Sequence, residues 1–449
     1  MLLNLIQIVF FNLFVWIIKP LLGFGLSFLY YFTYSTIEFT DFILSLFVRD
    51  CEIRNKNFIN QVRIKVNELR PYPGVYTSAT DMITEKGYNL EIHQILTEDG
   101  YILTAWRLYK TINKEYQCPI VLQHGLLDSS WSWFINNTNE QTLPYILADK
   151  GYDVWLTNNR GNKYSMGHSK IPGVQYNKQY WNFSFDDIQK YDFKAIVNHV
   201  KRASQKEKVI YIGHSQGSTQ AFAYLSNNID FQENLKCFIA LGPVIYIKNS
   251  KSVFLQFAVK TWIFEFTRLI GIPYFFVFDD CFNLKIGALC DMIPWIYRKF
   301  LFSITNLICG YPLQNKIDLK KFGFMVSHEP GGTSTKTLVQ WMQFYRNGTF
   351  SYFDYGRSRN ITEYGQSVPP KYNVENLCQL KIPKYFYIGS KDVIADEKDL
   401  QKTIPLFDPS TLQIKIINDY AHLDYVWAID AHKRLYPNIL ENIEQNQTL

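Results

Sequence analysis

The sequence predicts an α/β fold with a largely parallel sheet, an inserted helical cap and an N-terminal hydrophobic membrane segment. Three observations carry this. Short β-branched and aromatic runs alternate with stretches of helical spacing along most of the chain. Residues 208–220, KVIYIGHSQGSTQ, put Gly-x-Ser-x-Gly directly after a strand-like run and directly before a helix-like one. Residues 1–37 contain one charged side chain, Lys19, in an apolar run longer than the roughly 20 residues a bilayer span needs.

Composition narrows the class further. At 449 residues, with 47% hydrophobic and 19% charged side chains, the chain has too much apolar surface to stay unfolded. Lys plus Arg, 46, exceed Asp plus Glu, 40, by only six, and no basic block stands out, so no nucleic-acid footprint is present. The seven cysteines, at 51, 118, 237, 281, 290, 309 and 378, are too few for a disulfide scaffold and include no Cys-x-x-Cys metal pair.

Residues 1–50 are expected to be a membrane anchor followed by an interfacial helix. A cleaved signal would open with cationic residues and close on small ones, and Met1 to Phe11 has no Lys or Arg. Lys19-Pro20 either divides the run into a hairpin or flanks one tilted helix. FTDFILSLFV, 39–48, with Glu38 and Asp41, has the amphipathic mixture of a helix lying in the interface. Arg49, Arg54 and Lys56 follow the span, which favours a cytosolic domain on an endomembrane such as the endoplasmic reticulum or a lipid droplet; the residues do not fix the side.

Beyond the anchor, strands are expected at Tyr101–Leu108, Pro119–Gln123, Asp153–Leu156, Lys208–Ile212, Phe238–Gly242, Lys384–Ile388 and Gln413–Ile417, with helices over 186–202 and 218–227. Residues 51–243 and 375–449 form the two parts of the core. Between them, 244–374 is dense in Phe, Trp and Ile without strand rhythm, as a cap would be, its apolar content serving as helical core, as a lipid-facing surface, or both.

Ser215 is the candidate nucleophile. The glycines at 213 and 217 suit a strained turn in which strand and helix approach too closely for a β-carbon. A serine hydroxyl needs a base, and the base needs an acid to fix its tautomer. After a strand–serine–helix turn these are expected in the order acid, then base. Asp392 follows the 384–388 strand, with Asp396 as the second choice; His422 follows the last strand run and lies in a loop. His328 precedes the acid and His432 sits in a helix-like stretch, so both fail the order. Oxyanion donors are expected at the backbone of Gln216, after the nucleophile, and of Leu126, in the turn His124-Gly125-Leu126 after an earlier strand. Asn158, Arg160, Asn162, Asp187 and Asp192 are expected to form a supporting polar network, and Trp181, Phe183 and Phe185 to be core.

HGLLDSS (124–130), NNRGNKYS (158–165), YWNFSFDDIQKYD (180–192), GHSQGS (213–218), SHEPGGTS (327–334), SKDVIAD (390–396), HLDYVWAID (422–430) and, upstream, LTEDGYILTAWRL (96–108) together resemble the acid lipase family of α/β-hydrolases, which includes gastric and lysosomal acid lipases and membrane-anchored steryl ester hydrolases. The resemblance runs from about residue 76 to 440. It implies an α/β-hydrolase fold, the triad Ser215, Asp392 and His422, the donors Leu126 and Gln216, and a mobile lid within the cap over an acyl pocket. It implies neutral lipid esters as substrates, and gives Cys281 and Cys290 the spacing of the family's cap disulfide. The expected protein is a serine ester hydrolase at a membrane or lipid droplet surface, needing no metal or organic cofactor. Acyl transfer by the same triad and a non-catalytic lipid-binding relative are the alternatives. Triacylglycerol against steryl ester, and the oligomeric state, are left open by the residues.

Overall fold

The computed structural model describes residues 78–448 apart from 113–117, 137, 175–176 and most of 278–316. The anchor expected within 1–50 and the pair Cys281 and Cys290 lie outside the described residues. Among the described residues no helix is long and apolar enough to cross a membrane.

The strands are β1 (Asn89–Leu96), β2 (Tyr101–Tyr109), β3 (Ile120–Gln123), β4 (Val154–Thr157), β5 (Gly167–His168), β6 (Val209–His214), β7 (Leu235–Leu241), β8 (Tyr274–Phe275), β9 (Thr333–Ser334), β10 (Lys384–Gly389) and β11 (Leu412–Ile417). The main sheet runs in the order β1-β2-β4-β3-β6-β7-β10-β11, with β5 beside β2. From β4 to β11 every neighbour is parallel, whereas β2 pairs antiparallel with β1, β4 and β5. All seven expected strands are present, with no end moved by more than three residues. Not expected are the two-residue strands β5, β8 and β9 and, the longest of the four, β1, in which Glu91, His93 and Gln94 interrupt the apolar run and Ile92 and Leu96 face outward. Its eight-residue antiparallel register with β2 holds it at the sheet edge.

The period-two alternation of the strands sorts their side chains into two cores. Val121, Trp155, Tyr211 and Phe238 join one cluster, and their chain neighbours Ile120, Leu122, Ile210, Ile212 and Ile239 join the other. Both faces of the sheet are therefore covered, as a parallel sheet requires. The first cluster is closed by α3 (Lys194–Ser204) and α4 (Gln216–Asn227), the second by α1 (Ala79–Glu85) and α2 (Leu143–Asp149).

The helix expected over 186–202 begins at Phe185, passes through a π-helical turn at Ile188–Phe193 and ends at Ser204, where Gln205 is left-handed. The π turn directs Asp192 onto Arg160. Between β7 and β10 the described chain is mainly helical, with α5 (Val253–Thr261), α6 (Ile263–Leu269), α7 (Phe322–His328), α8 (Thr335–Asn347) and α9 (Arg357–Tyr364), together with the short β8·β9 pair. Leu338, Val339, Met342 and Phe344 of α8 pack into the first core cluster. After β10 comes α10 (Glu397–Thr403), and after β11 the chain ends on α11 (Tyr436–Thr448), whose Ile439 and Ile443 pack into the second.

Candidate active site

Ser215 stands on the turn between β6 and α4 with φ 51° and ψ −120°, a conformation an L residue adopts only under strain. The two motif glycines make that turn possible. A β-carbon on Gly213 would lie 2.6 Å from the backbone of Gly217 and Ser218, and one on Gly217 would lie 2.6 Å from Gln123 O. The strained residue is held by Ser215 N–H donating to Leu241 O at 3.0 Å and by Ser218 Oγ donating to its carbonyl at 2.6 Å.

His422 and Asp392 come to it from the ends of β11 and β10. His422 Nε2 is 2.7 Å from Ser215 Oγ, and His422 Nδ1 is 2.8 Å from Asp392 Oδ2. Asp392 Oδ1 accepts the amide protons of Ile394 and Ala395, each at 2.9 Å. Tyr425 OH donates to Asp392 Oδ2 at 3.2 Å and accepts from Gly389 N–H at 2.6 Å. Burial alone would raise the Asp392 carboxyl, but the His422 charge and hydrogen bond, with the two amides, outweigh it and hold the group below the usual carboxylate range. All three side chains are buried.

The turn expected to carry an oxyanion donor lies against the serine, since a β-carbon on Gly125 would be 3.1 Å from Ser215 Cβ. His124 fixes this turn. Its Nε2 accepts from Asn159 N–H at 3.1 Å, so the ring proton is on Nδ1, which donates to Gly125 O at 2.7 Å. Burial pushes His124 down to about 4, and His214, also chiefly by burial, to about 3, so both rings are neutral. Gln216 opens α4, where the first N–H groups have no acceptor within the helix. Trp341 Nε1–H holds the Gln216 side chain by donating to its Oε1 at 2.8 Å.

The other candidates make other contacts. Asp396 caps α10, accepting from Lys398 N–H at 2.9 Å and pairing with Lys251 at 2.7 Å. His328 stacks on Trp131 with ring centroids 3.7 Å apart, and His432 lies in the short helix Ala431–Arg434. Arg160 is fully buried and bonds Asp192 at 2.7 Å and Asp99 at 2.6 and 2.9 Å. Asn158 holds Ser130 N–H at 2.9 Å, and Asn162 donates to Asp128 O at 2.6 Å. Asp187 instead caps its own helix by accepting from Ser184 N–H at 2.7 Å. Trp181, Phe183 and Phe185 are core residues.

Three residues that contact the site machinery escape sequence reasoning: Tyr425, His214 and Trp341. Tyr425 and His214 sit inside the motifs HLDYVWAID and GHSQGS, but nothing local reveals that Tyr425 reaches Asp392 or that His214 Nε2 meets His422 O at 2.8 Å.

A family model described as a partial alpha/beta-hydrolase lipase region matches residues 79–137, and one described as the alpha/beta hydrolase fold matches 119–271. Gastric triacylglycerol lipase from Homo sapiens is 35% identical over 382 residues, covering 84% of this chain and 93% of that protein. The protein of the same name from Rattus norvegicus is 32% identical over 385 residues, covering 83% and 93%. Lipase 1 from Drosophila melanogaster is 31% identical over 365 residues, covering 81% and 79%. With that identity sustained over nearly the whole length of the gastric enzymes, and with a nucleophile turn of the fold's own geometry, the chain belongs to the acid lipase family of α/β-hydrolases and is a serine ester hydrolase.

Proposed function

We propose that the protein cleaves neutral lipid esters through an acyl-enzyme on Ser215, working at a membrane or lipid droplet surface. The hydrogen-bonded chain Ser215 Oγ, His422, Asp392 carries this more than any other observation. Ser215 Oγ attacks the ester carbonyl while His422 Nε2 takes its proton; the oxyanion is received by the Leu126 and Gln216 amides. His422 then returns the proton to the departing alcohol, and water, deprotonated by the same nitrogen, resolves the acyl-enzyme. Asp392 keeps the His422 proton on Nδ1 and stabilises the cation. No step calls on a metal or an organic cofactor.

The names of the gastric relatives support triacylglycerol as one substrate, and steryl ester remains the second candidate. Contact with a lipid surface is supported by Val253 and Phe257 on α5, Trp262 between the helices, and Phe266 and Leu269 on α6. All five are large apolar side chains exposed to solvent, Leu269 to 83%, where burial against a lipid surface would be favourable. We further propose that residues 1–50 anchor the protein in an endomembrane and that the segment after β7 carries a lid, since the buried triad has to be uncovered for a lipid to reach it.

The test is hydrolysis of a triacylglycerol and a cholesteryl ester in parallel by the detergent-solubilised full chain, with Ser215→Ala as control. Turnover of either, lost by at least about 10³-fold in the variant, is expected. Equal turnover by Ser215→Ala would refute the acyl-enzyme.

A further inference from the structure

The loop bearing Leu126 is gripped from the segment between β7 and β10. Gly331 N–H donates to Leu127 O at 2.7 Å, and Lys163 N–H donates to Gly331 O at 2.8 Å. The approach leaves no space, since a β-carbon on Gly331 would lie 2.4 Å from Asp128 O. Leu127 itself sits at φ 62°, so this loop is strained and needs holding.

Glu329 enters the same contact. It terminates α7, its N–H donating to Met325 O at 2.8 Å, and its side chain accepts from Ser129 Oγ. Its carboxyl stands beside that of Asp128, and Asp128 Oδ1 accepts from Ser129 N–H at 3.0 Å. Both carboxyls are buried. Two such groups side by side away from water do not both ionise, so one proton stays with the pair.

The surrounding charges do not relieve them. From β6, His214 Nδ1 is 3.9 Å from Asp128 Oδ2, but that ring is neutral. Lys163, from the loop after β4, attracts Glu329 without overcoming its burial. Ser132 bonds Asp128, Cys309 is a half-buried neutral thiol nearby, and His124 and His422 lie beyond His214. Burial first, and the neighbouring charge second, push Glu329 well above its ordinary value; burial pushes Asp128 up to about 6. The pair therefore holds one proton between its two carboxyls.

We propose that Glu329 is a positioning residue for ester hydrolysis: sharing one proton with Asp128, it clasps Ser129 and Asp128, holds the Leu126 amide where the oxyanion forms, and releases that loop when the shared proton is lost. This role rests on Leu126 being an oxyanion donor, as proposed above. Glu329 touches no reacting atom. A group whose proton is bound more tightly in the folded state contributes stability at low pH and loses it as pH rises through the raised value, so the clasp weakens on the alkaline side.

The test measures kcat and KM of the detergent-solubilised full chain on a water-soluble p-nitrophenyl ester, from about pH 5 to about pH 9, for wild type, Glu329→Gln, Glu329→Leu and Ser215→Ala. Gln keeps a neutral acceptor for Ser129 and a donor for Asp128, and is expected to retain kcat within about threefold at pH 6 while extending activity to higher pH. Leu is expected to lower kcat by about 10²-fold with KM within about threefold, because a displaced amide fails the transition state more than the substrate. Wild-type kcat in Glu329→Leu, a fall in Glu329→Gln as deep as in Glu329→Leu, or an alkaline limb unmoved by Gln would each overturn the role. Should Glu329→Leu fail to fold, the alkaline limb of Glu329→Gln decides alone. Activity surviving in Ser215→Ala would instead sink the serine mechanism, whatever the Glu329 variants do.

Discussion

Replacing Asp392 by asparagine separates charge from shape at the end of the Ser215–His422 chain. The outcome follows from which oxygen is pinned. Asp392 Oδ1 accepts two backbone protons, from Ile394 and Ala395, so in the Asp392→Asn variant that position has to stay the carbonyl oxygen. The amide NH₂ then falls on the Oδ2 side, 2.8 Å from His422 Nδ1. A donor there forces His422 to accept at Nδ1 and to carry its proton on Nε2, facing Ser215, where it cannot take the serine proton. The expected loss in kcat is about 10³ to 10⁴-fold, the range for a triad left in the wrong tautomer, or about 4 to 5.5 kcal/mol of barrier. Stability should change by less than about 2 kcal/mol, since the two amide bonds persist and only the Tyr425 contact is compromised. Initial rates on a soluble p-nitrophenyl ester, with thermal unfolding followed by circular dichroism, measure both. Activity within tenfold of wild type would refute the tautomer argument. The acid limb gives a second readout: a carboxyl held below its ordinary value contributes stability above the unfolded value of about 3.9 and loses it as pH falls through the depressed one. The Asp392→Asn variant should lose that part of the acid sensitivity.

Gly213→Ala should abolish folding or cost upward of about 3 kcal/mol, because the new β-carbon meets only backbone at 2.6 Å. Gly365→Ala, at φ 72° in open space, should cost only about 1 kcal/mol; similar losses at the two sites in chemical denaturation would refute the crowding explanation. Asp192→Asn should destabilise by about 3 to 5 kcal/mol, because it strips the buried Arg160 of one carboxylate, while kcat of the protein that folds stays within about threefold. A tenfold fall in kcat at unchanged stability would give the network a role in the reaction itself.

Much of the core sheet, the nucleophile turn and the loops that carry the candidate acid and base are legible in the sequence for one reason: each is encoded locally. Val209 to Ile212 are all apolar because both faces of a parallel strand are buried, and Gly213 and Gly217 are demanded by contacts within the turn or with the adjacent strand. Asp392 and His422 were recoverable because each follows a readable strand in the order this fold imposes. β1 was not, since an edge strand with one face in water has a polar, irregular pattern. The choice between Asp392 and Asp396 was not local either: it turned on Asp396 being taken up as the cap of α10.

By itself, the sequence determined the nucleophile turn, the central strands, the chain order of the candidate triad and the family, because strand burial, backbone crowding at a turn and chain order leave their mark on neighbouring residues. Only the tertiary structure decided which carboxylate meets His422, that Tyr425 and Trp341 steady Asp392 and Gln216, and that Glu329 faces Asp128 across 201 positions of chain. Such contacts depend on how a distant segment packs over the sheet. A side chain that will meet a partner of that kind carries no periodicity, spacing or composition by which its neighbours in sequence could announce it.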